Sequence, residues 1–268
     1  MSARSPRSAA LLVLGLLSCL APAARAQEAF LPGEEVQYRL TYLGIHAASA
    51  RISVGRAHLR EGVTVWPLIT QVQTESVFRL YPVKDRFVSW WIPSKSRSQG
   101  FELSADENGR RRRQSVQMEA EPGRARVTTQ HAGKPATERW HEVSADTLDV
   151  ASATFALRNR PLAVGRTYEL PIFTGSKQFT LSMTVEAVER RKTVLGEREV
   201  YRARAKTGFG GKLTAKRDML LWITTDPSHV VVRIDAELGF GSIVADLSGW
   251  SPGGQPIAGA PQAGPPHP

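Results

Sequence analysis

Beyond residue 26 this chain contains no cysteine; Cys19 is its only one. A chain cut at that point can form no structural disulfide, has no thiol nucleophile and offers no thiolate to a metal. Its stability must come from an ordinary apolar core. About 225 residues can supply one, because chains of that size bury roughly 70% of their surface. No apolar run after Leu20 is long enough to cross a bilayer as a helix, which takes about 20 residues. The histidines, His46, His58, His131, His141, His229 and His267, include no H-x-H or H-E-x-x-H spacing, so no metal site is predicted. The G-x-S-x-G elbow of common serine hydrolases is absent. Residues 208–214, GFGGKLT, are glycine-rich, but Leu213 stands where a phosphate loop needs Ser or Thr after its lysine. That stretch is read as a connection between strands. Asp146 and Asp149 are read as helix-start residues rather than an acid–base pair. No catalytic, cofactor-binding or metal-ligating residue is therefore assigned.

What the chain does have begins with a leader. Arg4 and Arg7 precede an uncharged apolar run from Ala9 to Leu20, and Ala24-Arg25-Ala26 fits the small-x-small cleavage rule. This is the layout of a secretory signal peptide over residues 1–26, with cleavage between Ala26 and Gln27. Cys19 follows Leu16-Leu17-Ser18, which gives a second reading as a lipidation site, although Leu17 fits that box poorly. The expected location is the periplasm, with an outer-membrane lipoprotein as the alternative. The chain carries 35 Lys and Arg against 25 Asp and Glu; removing Arg4, Arg7 and Arg25 leaves 32 against 25, a balance of +7. The basic residues are spread along the chain instead of gathered with aromatics, so nucleic acid is not an expected partner. Attraction to anionic lipid or glycan is.

The mature chain alternates. In FLPGEEVQYRLTYLG (30–44), Val36, Tyr38, Leu40 and Tyr42 interleave with polar residues, and Ala48, Ala50, Ile52 and Val54 resume the pattern after Gly44. Further strands are predicted at 63–74 (with Pro67 marking an edge or bulge), 83–91, 97–104, 110–120, 124–129, 166–173, 178–188, 199–207, 219–224, 230–238 and 242–247. Asn108-Gly109 is a tight-hairpin pair and Asp226-Pro227-Ser228 a second turn. Residues 131–138 read as loop. One helix is predicted over 147–160, with Asp146 as N-cap, Leu148, Ala151 and Phe155 at helical spacing, Arg158 and Arg160 at its end, and Pro161 closing it. Residues 251–268, rich in Pro, Gly and Ala, read as a disordered tail. The expected fold is all-β and mainly antiparallel: a curved sheet, half-barrel or sandwich of about a dozen strands in one domain over 27–250. A membrane barrel is the competing reading of the alternation. Arg202, Arg204 and Lys206 facing away from Tyr201, Ala203 and Ala205 suit a half-buried soluble sheet as well.

Several dispersed pieces in order carry a resemblance. FLPGEEVQYRLTYLG at 30–44, ESVFRLYPVKDRFVSWW at 75–91, ADTLDVASATFALRNRPLAVG at 145–165, then LWITTDP and GFGSIVADL, together resemble the exported bacterial family known as domain of unknown function 3108. The resemblance spans roughly residues 30–250, with Ala48 standing where a glycine is common. It implies an exported, mostly β protein of the Gram-negative envelope and carries over no catalytic residue.

Two features invite a contact role. Arg110, Arg111, Arg112 and Arg113 follow the Asn-Gly turn; alternation sends two to each face. Lipid headgroups, an anionic glycan or an acidic partner would be their counterpart, and a solvated, aggregation-resistant hairpin end is the plainer account. Trp90 and Trp91 are adjacent, so one should point inward and the other outward, where it can stack on a sugar or sit at a ligand mouth. The expected function is non-catalytic binding of a lipid-like or glycan ligand or an envelope partner. An exported hydrolase or carbohydrate-active enzyme with dispersed residues, and a structural interaction module, are the alternatives.

Overall fold

A computed structural model describes residues 28–75, 82–209, 212–213, 218–238 and 241–254. The expected leader with Cys19, Ala26 and Gln27, and the tail from 255, lie outside the described residues. The first half of the chain forms β1 (Glu35–Tyr42), β2 (Ile45–Val54), β3 (His58–Arg60), β4 (Val63–Thr74), β5 (Val83–Ile92), β6 (Arg97–Glu107), β7 (Arg110–Glu119), β8 (Arg124–His131) and β9 (Thr137–Glu142). Helix α1 (Val150–Arg158) follows. The second half forms β10 (Thr167–Phe173), β11 (Gln178–Thr193), β12 (Gly196–Phe209), β13 (Lys212–Leu213), β14 (Met219–Thr224), β15 (Val231–Leu238) and β16 (Gly241–Ser251).

These strands make one antiparallel sheet in the order β10-β11-β12-β14-β15-β16-β1-β2-β4-β5-β6-β7-β8-β9, with β3 on β4 and β13 on β12. The topology is two meanders joined through β1 and β16. From β1 in mid-sheet the chain runs out to β9, crosses by α1 to the far edge and returns. Register shifts at Gln37/Tyr38, Ser89/Trp91, Val185/Ala187 and Trp222/Ile223 increase the local twist. The sheet curls until its two edges face each other, but β9 and β10 do not pair. Instead Leu148 bridges to β10 in parallel: its amide donates to the Pro171 carbonyl at 2.9 Å, and the Phe173 amide donates to the Leu148 carbonyl at 2.8 Å. The Gln178 side chain donates to the Glu142 carbonyl across the same seam. The result is a half-barrel, which decides between the curved sheet and the sandwich.

The inward positions of the alternating strands close on α1. Val54, Leu68, Trp91, Ile172, Met183, Val185, Ala203 and Ile223 surround Phe155 and Leu157 of the helix, with Phe30 packed edge-on against Phe155 at 4.4 Å between ring centroids. A second cluster of Phe101, Val116, Ala125 and Val127 meets Phe173 near the seam.

Several sequence expectations shift. The helix begins at Val150 rather than 147, and its cap is Asp149 rather than Asp146. The reason is tertiary: Leu148 stays extended to bridge β10, so helical geometry cannot begin before it. Asp149 accepts from the Ser152 amide at 2.9 Å, and Ser152 Oγ accepts from the Asp149 amide at 3.0 Å. Residues 137–142, inside and beyond the expected loop, pair with β8 as β9. Pro67 lies in an interior strand, at the point where the partner of β4 on one side changes from β3 to β2. There its missing N–H breaks no ladder. β16 runs through Ser251, four residues past the expected strand end at 247 and one past the expected domain boundary at 250, and the Gly254 amide donates to the Pro32 carbonyl at 2.9 Å.

Candidate functional site: a basic trough on the outer sheet face

Alternation on β4–β8 that buries Leu68, Ser89, Phe101, Val116 and Val127 sends the intervening side chains outward. The registers align these outward residues in two transverse rows. Gln71, Arg86, Ser104, Arg113 and Gln130 form one; Gln73, Lys84, Asp106 and Arg111 form the other. Arg86 and Arg113 flank Ser104 on either side, so their backbones are two strand spacings apart, about 10 Å. Two adjoining shallow hollows of about 430 and 520 Å³ lie over these rows and share Arg86, Ser104 and Arg113. Ser115 and Thr128 add hydroxyls to the floor.

The charges are uneven. Asp106 is taken by Arg111, whose Nε lies 3.0 Å from its Oδ2. Glu102 leans to Arg60 at 3.9 Å. Lys84, Arg86 and Arg113, all exposed, have no ion-pair partner among the described residues. The trough thus offers cations with hydroxyl and amide neighbours, donors whose chemistry suits an anionic group.

The arginine run divides as alternation requires. Arg111 and Arg113 face the trough; Arg110 and Arg112 take the opposite face, where Arg112 lies in register with Ala105 and His131. Nearby Asp85 is pushed above the usual carboxylate range, chiefly by burial, and the Asp106 amide and Arg112 pull it back. Trp91 is wholly buried in the core, while Trp90 faces outward beneath the Arg60 guanidinium at 4.9 Å, with the His58 ring at its edge. Neither lines the trough. The tryptophan that stands open is Trp140, 47% exposed on β9. Reading 131–138 as loop hid its setting; the alternation of Glu138, Trp140 and Glu142 against Arg139 and His141 was the available signal. Lys84 and Arg86 were likewise visible only as isolated charges.

Two other polar clusters are internal. Asp149, fully buried, accepts from Ser89 Oγ at 2.6 Å and is raised by burial against the lowering effect of Ser89, Ser98 and Ser152. No surface reaches this Ser–Asp contact, and capping accounts for it. Arg158, 4% exposed, pairs with Glu34, 2% exposed, at 2.8 Å, and donates to the Ser228 and Ala29 carbonyls. It ties the helix end to the amino-terminal segment and the β14–β15 turn. The described residues contain no group of three His, Cys, Asp or Glu placed to hold a metal ion, and no helix among them is long and apolar enough to cross a membrane.

Fold and surface define an antiparallel β half-barrel plugged by one helix, with a basic trough on its outer face. The chain belongs to the DUF3108 family, described as a protein of unknown function, whose model matches residues 37–248. No curated protein matches it. Among solved structures it is similar to a β-barrel-like protein of the DUF1849 family from Brucella abortus, at 8% identity and a TM-score of 0.57, covering 84% of this chain and 100% of that one. That likeness is one of fold. A Bacteroides fragilis protein, named as an exported candidate with a YmcC-like fold, aligns at 10% identity over 83% of this chain and 98% of its own, with a TM-score of 0.36.

Proposed function

We propose that this is a non-catalytic binding protein of the bacterial periplasm that holds an anionic envelope component in the trough of β4–β8. The recognised chemistry is a phosphate or carboxylate, borne by an acidic glycan or by a lipid headgroup. The leader at residues 1–26 supports export. The single observation that carries the binding role is the set of Lys84, Arg86 and Arg113, side by side and without acidic partners among the described residues. Unpaired like charges on one face repel each other. A counter-ion shared among them relieves that repulsion, and the hydroxyls of Ser104, Ser115 and Thr128 add oriented donors.

The test is co-sedimentation of the purified exported protein with phosphatidylcholine vesicles, with and without phosphatidylglycerol, and titration with polygalacturonate. Binding to at least one anionic probe is expected, weakening as salt is raised. At about 1 kcal/mol per basic residue near an anionic surface, the double variant R86A/R113A should lose about 2 kcal/mol, roughly thirtyfold. Binding that is indifferent to both salt and these two arginines would refute the proposal.

A further inference from the structure

The trough does not end at β7. Its floor continues through Thr128 and Gln130 on β8 to Ala136 before β9. Two positions back along β8 from Thr128 is Arg126, directly opposite Trp140 on β9. Arg124 lies over the indole at 4.4 Å from the ring centroid, with Arg126 at 5.9 Å. Both guanidinium groups are held from the side: Arg124 Nε by Glu119 at 2.6 Å, and Arg126 Nε by the Gln117 side chain at 3.0 Å. The indole is therefore braced by fixed cations and still nearly half exposed. Bracing removes rotamer entropy in advance.

We infer that Trp140 is a sugar-stacking platform at the end of the trough, which makes an acidic polysaccharide its occupant. This rests on the proposed anion-binding reading and narrows it. A pyranose ring presents C–H groups that pack on an open aromatic face, so neutral ring and acidic substituent are read by different residues: the ring by Trp140, the acid by Arg86 and Arg113. From the strand rise and strand spacing, the backbone of Trp140 lies about 16 Å from that of Arg113, a span for several linked sugars rather than for one headgroup. The charge around the platform points the same way. Glu138 and Glu142 flank Trp140 on its own face of β9, both exposed. An anionic bilayer approaching the ring would press against these two carboxylates, whereas a flexible chain can place its acids over the arginines and its ring face over Trp140.

The test compares wild type, W140A, W140F and R86A/R113A in binding to polygalacturonate oligomers, to a neutral oligosaccharide of the same length, and to phosphatidylglycerol vesicles. Circular dichroism melts check that each variant is folded. W140A should weaken oligogalacturonate binding roughly tenfold, the scale of an interface anchor. W140F should recover most of it, vesicle binding should be unchanged, and the neutral sugar should bind more weakly than the acidic one. Acidic-oligosaccharide binding that survives W140A but is lost in R86A/R113A would overturn the platform and leave the anion site standing. A loss confined to vesicles would make Trp140 an interfacial anchor and overturn the inference. No binding of the acidic oligosaccharide by wild type would overturn it as well.

Discussion

Glu34→Gln should be among the most damaging single substitutions at a position with no role in the trough. Glu34 is 2% exposed and Arg158 4%, and Glu34 Oε1 lies 2.8 Å from Arg158 Nη1. Glu34 also accepts from the Trp250 indole at 3.3 Å, while Phe30 and Phe155 cover the guanidinium. Removing the carboxylate leaves the arginine charged in an apolar setting with only carbonyl partners. Breaking such a pair costs about 3–5 kcal/mol, because the remaining ion keeps its desolvation penalty and loses its counter-charge. For a chain of this size that is a fall in Tm of roughly 10 °C. Replacing both residues, E34Q with R158M, removes the charge altogether and should recover much of the loss, since a buried neutral amide costs less than a buried ion without its counter-charge. Urea denaturation of wild type, both single variants and the double variant completes the cycle. If the double variant is destabilised by the sum of the singles, the two residues are not coupled and the reasoning fails. It fails equally if Glu34→Gln costs under about 1 kcal/mol, the range of an exposed pair.

Asp149→Ala should cost about 2–4 kcal/mol, joining the loss of a helix cap to a Ser89 hydroxyl left without its acceptor, as measured by urea denaturation. Because burial raises the Asp149 carboxyl, the folded protein holds that proton at a pH where the unfolded chain releases it; stability from this group is therefore greatest at acid pH and falls as pH rises through the folded value. Asp149→Asn keeps a capping oxygen and should flatten that fall, which denaturation over a pH series would detect; an unchanged slope would assign it elsewhere. Trp91→Ala should cost about 3–5 kcal/mol as a core truncation, while Trp90→Ala, which uncovers only the stack under Arg60, should cost clearly less in the same assay. Gly100→Ala should prevent stable folding or lower Tm sharply, because a Cβ there would overlap the Val116 carbonyl oxygen at a φ of +135°; a soluble variant melting near wild type would contradict this.

The strand-rich class was legible because alternation is local. Val36, Tyr38 and Leu40 announce a half-buried strand whatever they pack against, and the positive φ of Asn108 and Gly109 meets the hairpin expected from their identities. The helix was legible in type but not in boundary. Nothing within 145–150 shows that Leu148 is needed by β10, a strand that begins nineteen residues later; that contact holds Leu148 extended and passes the cap to Asp149. β9 was missed for the complementary reason. TERWHE is exposed along almost its whole length, so burial left no trace in its composition, and pairing with β8 alone makes it a strand. Arg158 read as a charge suited to a helix end, and only the approach of Glu34 from 124 residues away showed it to be internal.

By itself, the sequence determined the quantities that depend on near neighbours: the alternating strands, the turns, the helix and the division of Arg110–Arg113 between two faces. Which faces met was left to the tertiary structure. Strand pairing placed Arg86 of β5 across Ser104 from Arg113 of β7, and set β9 beside β8 with Trp140 on the outer surface. Alternation tells a side chain to point out, but register between strands decides what it points out beside. A binding surface is a property of that second relation.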